Sequence, residues 1–111
     1  MPGKFELKKS ASGKFMFNLK AGNNQIILTS QLYGDKATAK NGIASVKKHA
    51  RADGNYERKS STKGQPYFVL KSSNGQTIGK SEIYASTSSM EKGIASVKSN
   101  ARGAATKDAT A

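Results

Sequence analysis

The six residues Gly42-Ile43-Ala44-Ser45-Val46-Lys47 recur letter for letter as Gly93-Ile94-Ala95-Ser96-Val97-Lys98. The recurrence extends outward from that block. Phe5 to Ala50 aligns with Tyr56 to Ala101 without a gap at an offset of 51, and nineteen of the forty-six paired positions are identical. Two copies of one unit therefore make up nearly the whole of a 111-residue chain. Stacked solenoids usually need three or more units to bury a continuous core, so two copies point to a closed, pseudo-two-fold pair.

Each copy reads as three strands followed by a helix. Lys4-Phe5-Glu6-Leu7-Lys8 alternates polar and apolar residues, and Phe15, Phe17 and Leu19 share one face of the run Lys14 to Lys20. Ser10-Ala11-Ser12-Gly13 is a turn cluster, and Ala21-Gly22-Asn23-Asn24 is a second that leads into a third β-rich run, Gln25 to Thr29. The second copy repeats this meander with Tyr56 to Lys59, Tyr67 to Leu70 and Thr77-Ile78. Asn74-Gly75 suits its tight hairpin, and Pro66, in the place of Phe15, marks the start of its second strand. Next, Ala39, Ile43, Val46 and Ala50 form the apolar stripe of a helix from about Ala37 to His49. Met90, Ile94, Val97 and Ala101 give its counterpart. Asp35 is read as the first N-cap and Ser88-x-x-Glu91 as the capping box of the second, while Lys47, Lys48 and His49 favour the negative helix end. A glycine inside a helix costs about 1 kcal/mol, so the recurrence of Gly42 and Gly93 beside the stripe suggests close backbone approach to the sheet or to the other helix.

The fold predicted is α+β: tandem βββα(β) repeats forming one antiparallel sheet, two helices on one face, pseudo-two-fold symmetric. Residues 1–53 are the first repeat and 54–103 the second. Residues 104–111 are a tail, mobile or adding a short strand. Duplication places both halves of the symmetric unit in one chain, so a monomer is expected.

Composition narrows the function. Hydrophobic residues make up 35% and aromatics 7%, low for a globular domain, yet they are clustered and periodic as in a folded chain. With no Cys and a single His, His49, disulfides, cysteine catalysis and an intrachain zinc set are excluded, and no cofactor is expected. Met1 to Leu7 lacks an apolar signal core, and no stretch approaches the ~18 apolar residues of a membrane span, so the default is a cytoplasmic protein with no membrane partner. Nineteen Lys and Arg against seven Asp and Glu give a net charge of +12, which suits an acidic partner without identifying one.

The repeated Gly-Ile-Ala-Ser-Val-Lys helix, the Leu-Lys-Ala-Gly-Asn turn at Leu19 to Asn23 and the Leu32-Tyr33 pair together resemble the YegP-like family of small bacterial proteins, over about residues 3 to 101. The resemblance implies β3-α-β repeats joined into one sheet, with exchange of the strand after each helix. On that basis the Asn55-Tyr56-Glu57 region follows the first helix as a strand, and part of Ala104 to Asp108 does the same after the second. The family is a domain of unknown function, so the resemblance supplies no catalytic residue, substrate or cofactor. Arg58 in the place of Leu7, and Pro66 in the place of Phe15, mark where the copies diverge.

No catalytic constellation emerges. Gly75-Gln76-Thr77-Ile78-Gly79-Lys80-Ser81 has three residues between its glycines where a phosphate-binding loop needs four, and it sits in a hairpin. His49 has Asn100 as its counterpart and no carboxylate nearby in sequence, which suits a helix-end residue better than a general base. Glu6 and Glu57, among Lys8 and Lys59, read as cross-strand ion-pair partners, and Tyr33 and Tyr84 as packing residues at the strand-to-helix junctions. The outward sheet face is the candidate binding surface: Lys8, Lys14, Met16, Asn18 and Lys20 in one copy, Lys59, Tyr67, Val69 and Lys71 in the other. The expectation is a non-catalytic interaction module that holds a protein partner by strand addition or through the apolar Met16, Tyr67 and Val69. The alternative is nonspecific nucleic-acid binding through the lysines of this face. Sixteen of the nineteen basic residues are Lys, which suits phosphate contact better than base reading.

Overall fold

A computed structural model describes residues 3–110; residues 1–2 and 111, the ends of the first and last predicted segments, lie outside the described residues. The first copy folds as β1 (Lys4–Lys9), β2 (Phe15–Lys20), β3 (Ile26–Ser30) and α1 (Lys36–His49). A single 3-10 turn, Asp53–Asn55, leads to β4 (Tyr56–Ser60), β5 (Pro66–Lys71), β6 (Thr77–Lys80), α2 (Thr87–Ala101) and β7 (Ala105–Asp108). All seven strands join one sheet in the order β4-β5-β6-β3-β2-β1-β7, so the two meanders lie back to back with the pseudo-two-fold axis between β3 and β6.

The sheet departs from the wholly antiparallel arrangement expected of it. Six strands pair antiparallel, but β7 runs parallel to β1, with Ala105 opposite Lys4 and Asp108 opposite Leu7. The cause is the connection. Helix α1 takes the chain from β3 to the edge at β4, and α2 takes it from β6 to the opposite edge, where a strand entering after a crossover can lie parallel. Ala104 is buried at that entry, Ala109 N–H donates to the Leu7 carbonyl at 2.8 Å, and Asp108 pairs with Lys36 of α1.

This asymmetry explains one divergence between the copies. Leu7 on β1 is fully buried under the strand that covers its edge. Among the described residues no strand lies outside β4, and there the counterpart is Arg58, whose Nε and Nη2 donate to the Glu91 carboxylate at 2.6 and 2.9 Å. Charged side chains on an open edge discourage pairing with another chain.

Beneath the helices each copy builds the same three-ring ladder. Phe5 meets Phe17 edge-on at 5.9 Å and Phe17 stacks on Tyr33 at 6.2 Å; Tyr56, Phe68 and Tyr84 repeat this at 5.6 and 6.3 Å. The repeated glycines belong to this ladder. A Cβ on Gly42 would overlap the Tyr33 hydroxyl and a Cβ on Gly93 that of Tyr84, so the close approach is that of a tyrosine ring, not of a second backbone. At the axis the copies cannot be alike, because Leu28 and its counterpart Gly79 fall near the same place. Leu28 is fully buried, and a side chain at position 79 would lie 2.8 Å from its Cγ.

The N-cap of α1 is Asp35, which accepts from Thr38 N–H at 2.7 Å. In the second copy the cap is Ser86, the residue aligned with Asp35, and it accepts from Ser89 N–H at 3.1 Å. The expected Ser88-x-x-Glu91 box does not form, since helix α2 has already started at Thr87 and Glu91 is engaged by Arg58.

Candidate binding surfaces

Alternation along the strands puts Glu6 and Lys8 of β1, Met16, Asn18 and Lys20 of β2, Tyr67, Val69 and Lys71 of β5, and Glu57 and Lys59 of β4 on the sheet face away from the helices. Lys14 precedes β2 and stands exposed in the turn. Two of the candidates are not on offer. Asn18 and Val69 are only 4% and 6% exposed, because the long side chains of neighbouring strands cover the middle of the face. Asn18 also donates from Nδ2 to Thr29 Oγ1 at 3.0 Å, and Val69 lies between Glu57 and Lys80 in register. Met16 and Tyr67 are half-buried, with Lys80 Nζ 5.0 Å from the Tyr67 ring centre.

The lysines of this face are largely engaged. Glu6 receives Lys8 and Lys20 at 3.1 and 3.2 Å, and Glu57 receives Lys59 and Lys71 at 3.1 and 2.5 Å. These bonds hold both carboxyls below the ordinary range. A second cluster lies at the open edge, where Asp53 takes Arg58 at 3.1 Å and Lys98 at 3.0 Å. Hydrogen bonds from those cations lower its pKa, as that from Arg58 lowers that of Glu91. Among the described residues seven basic side chains have an acidic partner: Lys8, Lys20, Lys36, Arg58, Lys59, Lys71 and Lys98. The other twelve of nineteen have none among the described residues. Six of the twelve stand exposed on or just after the helices: Lys40, Lys47, Lys48, Arg51, Lys92 and Arg102.

Over the β3–β6 seam the sheet face holds a groove of about 420 Å³, lined in part by Ile26, Thr29, Thr77 and Lys80. It arises because β3 and β6 pair only through Thr29 with Lys80 and Ser30 with Gly79. Ile26 on its wall is 41% exposed. The sequence reading missed it, since a seam between two copies has no local pattern.

The titratable groups inside the fold serve structure. The Tyr56 hydroxyl donates to the Ala50 carbonyl at 2.8 Å, and burial pushes its pKa up. His49 Nδ1 lies 2.9 Å from the Ser45 carbonyl and Nε2 accepts from Ser73 N–H at 3.3 Å, the pattern of one neutral tautomer. Asn100 repeats the first contact, donating to the Ser96 carbonyl at 2.8 Å. The segment Gly75 to Ser81 forms the β5–β6 connection and β6, with Gly75 in the left-handed region at φ 84°. Among the described residues no group of three His, Cys, Asp or Glu is placed to hold a metal ion, and no helix is long and apolar enough to cross a membrane.

The family model described as Domain of unknown function (DUF1508) matches residues 10–57 and again 61–108. The chain belongs to the DUF1508 family. Each match takes in two hairpin strands, a helix and the strand that follows it, which accounts for β4 and β7 by one rule. The UPF0339 protein of Bordetella pertussis is 56% identical over 110 residues, covering 99% of this chain and 98% of that one. The UPF0339 protein YegP of Shigella flexneri is 50% identical over 110 residues, 99% of this chain and all of its own. Among solved structures, the E. coli yegP protein, described as of unknown function, superposes with a TM-score of 0.94 at 49% identity, covering 99% of this chain and 95% of that chain. A UPF0339 protein of Shewanella oneidensis superposes at 0.93 with 44% identity, covering 99% and 93%. The DUF1508 relatives share the fold and carry no described activity.

Proposed function

We propose that this DUF1508 protein is a non-catalytic binding module for polyanions, with nucleic-acid backbones as the ligand and little reading of sequence. The observation that carries this is the twelve basic side chains without an acidic partner among the described residues. Free cations displace the counterions of a phosphate chain, and lysine does so as a point charge without the fork that reads bases. The engagement of both His49 ring nitrogens supports a non-catalytic role. Fluorescence anisotropy with labelled single-stranded and duplex DNA and RNA tests it over a salt series. Binding whose affinity falls with salt by several phosphate contacts supports the reading, and loss of all binding above low salt overturns it.

A protein partner is the second reading, favoured by the groove over the β3–β6 seam and the exposed Ile26 on its wall. Such a contact would rest on apolar burial and survive salt that abolishes phosphate binding. Substituting Ile26→Asp and measuring capture of the same partner at high salt separates the two.

A further inference from the structure

Resting on the polyanion reading, we infer that the phosphate backbone is held on the helical layer, in the groove between the C-terminal ends of α1 and α2, and not on the sheet face. That groove, of about 630 Å³, is lined by Arg51, Ala95, Lys98, Ser99 and Arg102; Lys98 is paired with Asp53 at 3.0 Å, while Arg51 and Arg102 have no acidic partner among the described residues. Arg51 and Arg102 hold the same position in the two copies, one residue beyond each repeated alanine, so the pseudo-two-fold fold brings both to one site. The chain has three arginines. The third, Arg58, is already committed to Glu91 and Asp53, so the two that line this groove are the ones available. A guanidinium fork meets two phosphate oxygens at once, and Ser99 adds a hydroxyl donor.

A helix C-terminus attracts cations in any case, but α1 already carries Lys47, Lys48 and His49 in its last turn, before Arg51 is reached. Lys40, Lys47, Lys48 and Lys92 are exposed on the same two helices, Lys40 and Lys47 at a separate pocket that Asp108 also lines. On the sheet face Glu6 bridges Lys8 and Lys20 and Glu57 bridges Lys59 and Lys71, so two carboxylates offset half of the charge of these four lysines, whereas neither groove arginine is offset. An anionic membrane fits the groove less well, because the exposed large apolar residues, Ile26, Leu32 and Ile83, are not among its lining and leave nothing there to insert into a bilayer.

The test compares the double variant Arg51→Gln with Arg102→Gln and the double variant Lys8→Gln with Lys59→Gln against wild type, in anisotropy titrations on one single-stranded and one duplex oligonucleotide. Losing two phosphate contacts lowers the salt slope by about two, and weakens binding about 10- to 30-fold at 0.15 M salt. The groove variant should show this and the sheet variant should stay within about twofold of wild type. Arg51→Lys with Arg102→Lys, which keeps the charge, should retain most of the slope and so controls for misfolding. An equal or larger loss in the sheet variant overturns the placement while leaving polyanion binding intact. Wild-type protein that binds neither oligonucleotide overturns the polyanion reading itself. Vesicles of half anionic lipid serve as the competing probe, and binding to them as tight as to the oligonucleotides overturns the choice of nucleic acid.

Discussion

Substituting Gly93→Ala sets two effects of opposite sign against each other. Alanine is about 1 kcal/mol more favourable than glycine inside a helix. The added Cβ, however, would overlap the Tyr84 hydroxyl and lie 2.6 Å from its Cζ, so the ring itself must move. Tyr84 is stacked on Phe68 at 6.3 Å with 11° between the planes, and Phe68 is fully buried, which leaves the ring little room. Overpacking of this kind costs about 1–3 kcal/mol. The net expectation is a loss of up to about 2 kcal/mol, or as much as roughly 8 °C in Tm. In a Tyr84→Ala background the obstruction is gone, and Gly93→Ala should then stabilise by about 1 kcal/mol. Urea denaturation of the four proteins of this double-mutant cycle measures both signs. A wild-type background in which Gly93→Ala raises stability would refute the reasoning and make the glycine an inherited, tolerated residue.

Tyr56→Phe removes the hydroxyl that donates to the Ala50 carbonyl at 2.8 Å and should cost about 1–2 kcal/mol by urea denaturation, more than Tyr67→Phe on the sheet face. Six carboxyls, Glu6, Asp35, Asp53, Glu57, Glu91 and Asp108, titrate below their ordinary range in the folded chain, so the stability they add is present above about pH 4.5 and is lost as pH falls below it. Melting curves should be flat from pH 7 to about pH 5 and drop below it, less steeply at high salt; a drop already complete at pH 6 would point to another group. At the alkaline end Tyr56, held neutral by burial, should contribute stability that is lost as pH rises past about 10, read from tyrosinate absorbance appearing together with unfolding. Arg58→Val strips the charge from the open edge at β4 and should raise the self-associated fraction over wild type in sedimentation velocity, whereas equal profiles would show that the edge is guarded by something other than Arg58.

The elements of this fold were legible because each is written in local spacing. Phe15, Phe17 and Leu19 alternate as a strand must, and Ala39, Ile43, Val46 and Ala50 return as a helix face must, so strands and helices fall where periodicity places them. What was not legible depends on contacts between distant residues. That β7 would lie parallel beside β1 follows from where α2 delivers the chain, and Ala105–Asp108 has no pattern that announces it. The tyrosine under each helical glycine could have been found, since Tyr33 and Tyr84 recur at the same offset as Gly42 and Gly93, but the partner cannot be read from the glycine alone. Alternation puts Lys8, Met16, Lys20, Lys59, Tyr67 and Lys71 on the outward side of the sheet, while Lys14 lies in the turn before β2. Pairing of Glu6 with Lys20, and of Glu57 with Lys71, is diagonal across strands, so these cross-strand ion pairs appear only once register is known. Arg51 and Arg102 lie 51 residues apart, and only the fold puts both on one groove.

Backbone NMR of the labelled chain, titrated with a single-stranded oligonucleotide at 0.1 M salt, tests the central claim most directly. The account predicts saturable shift changes concentrated at residues 47–52 and 95–102, with the sheet-face positions Met16, Asn18, Tyr67 and Val69 little moved. Changes confined to those sheet-face positions, or spectra that do not change at all, would contradict it.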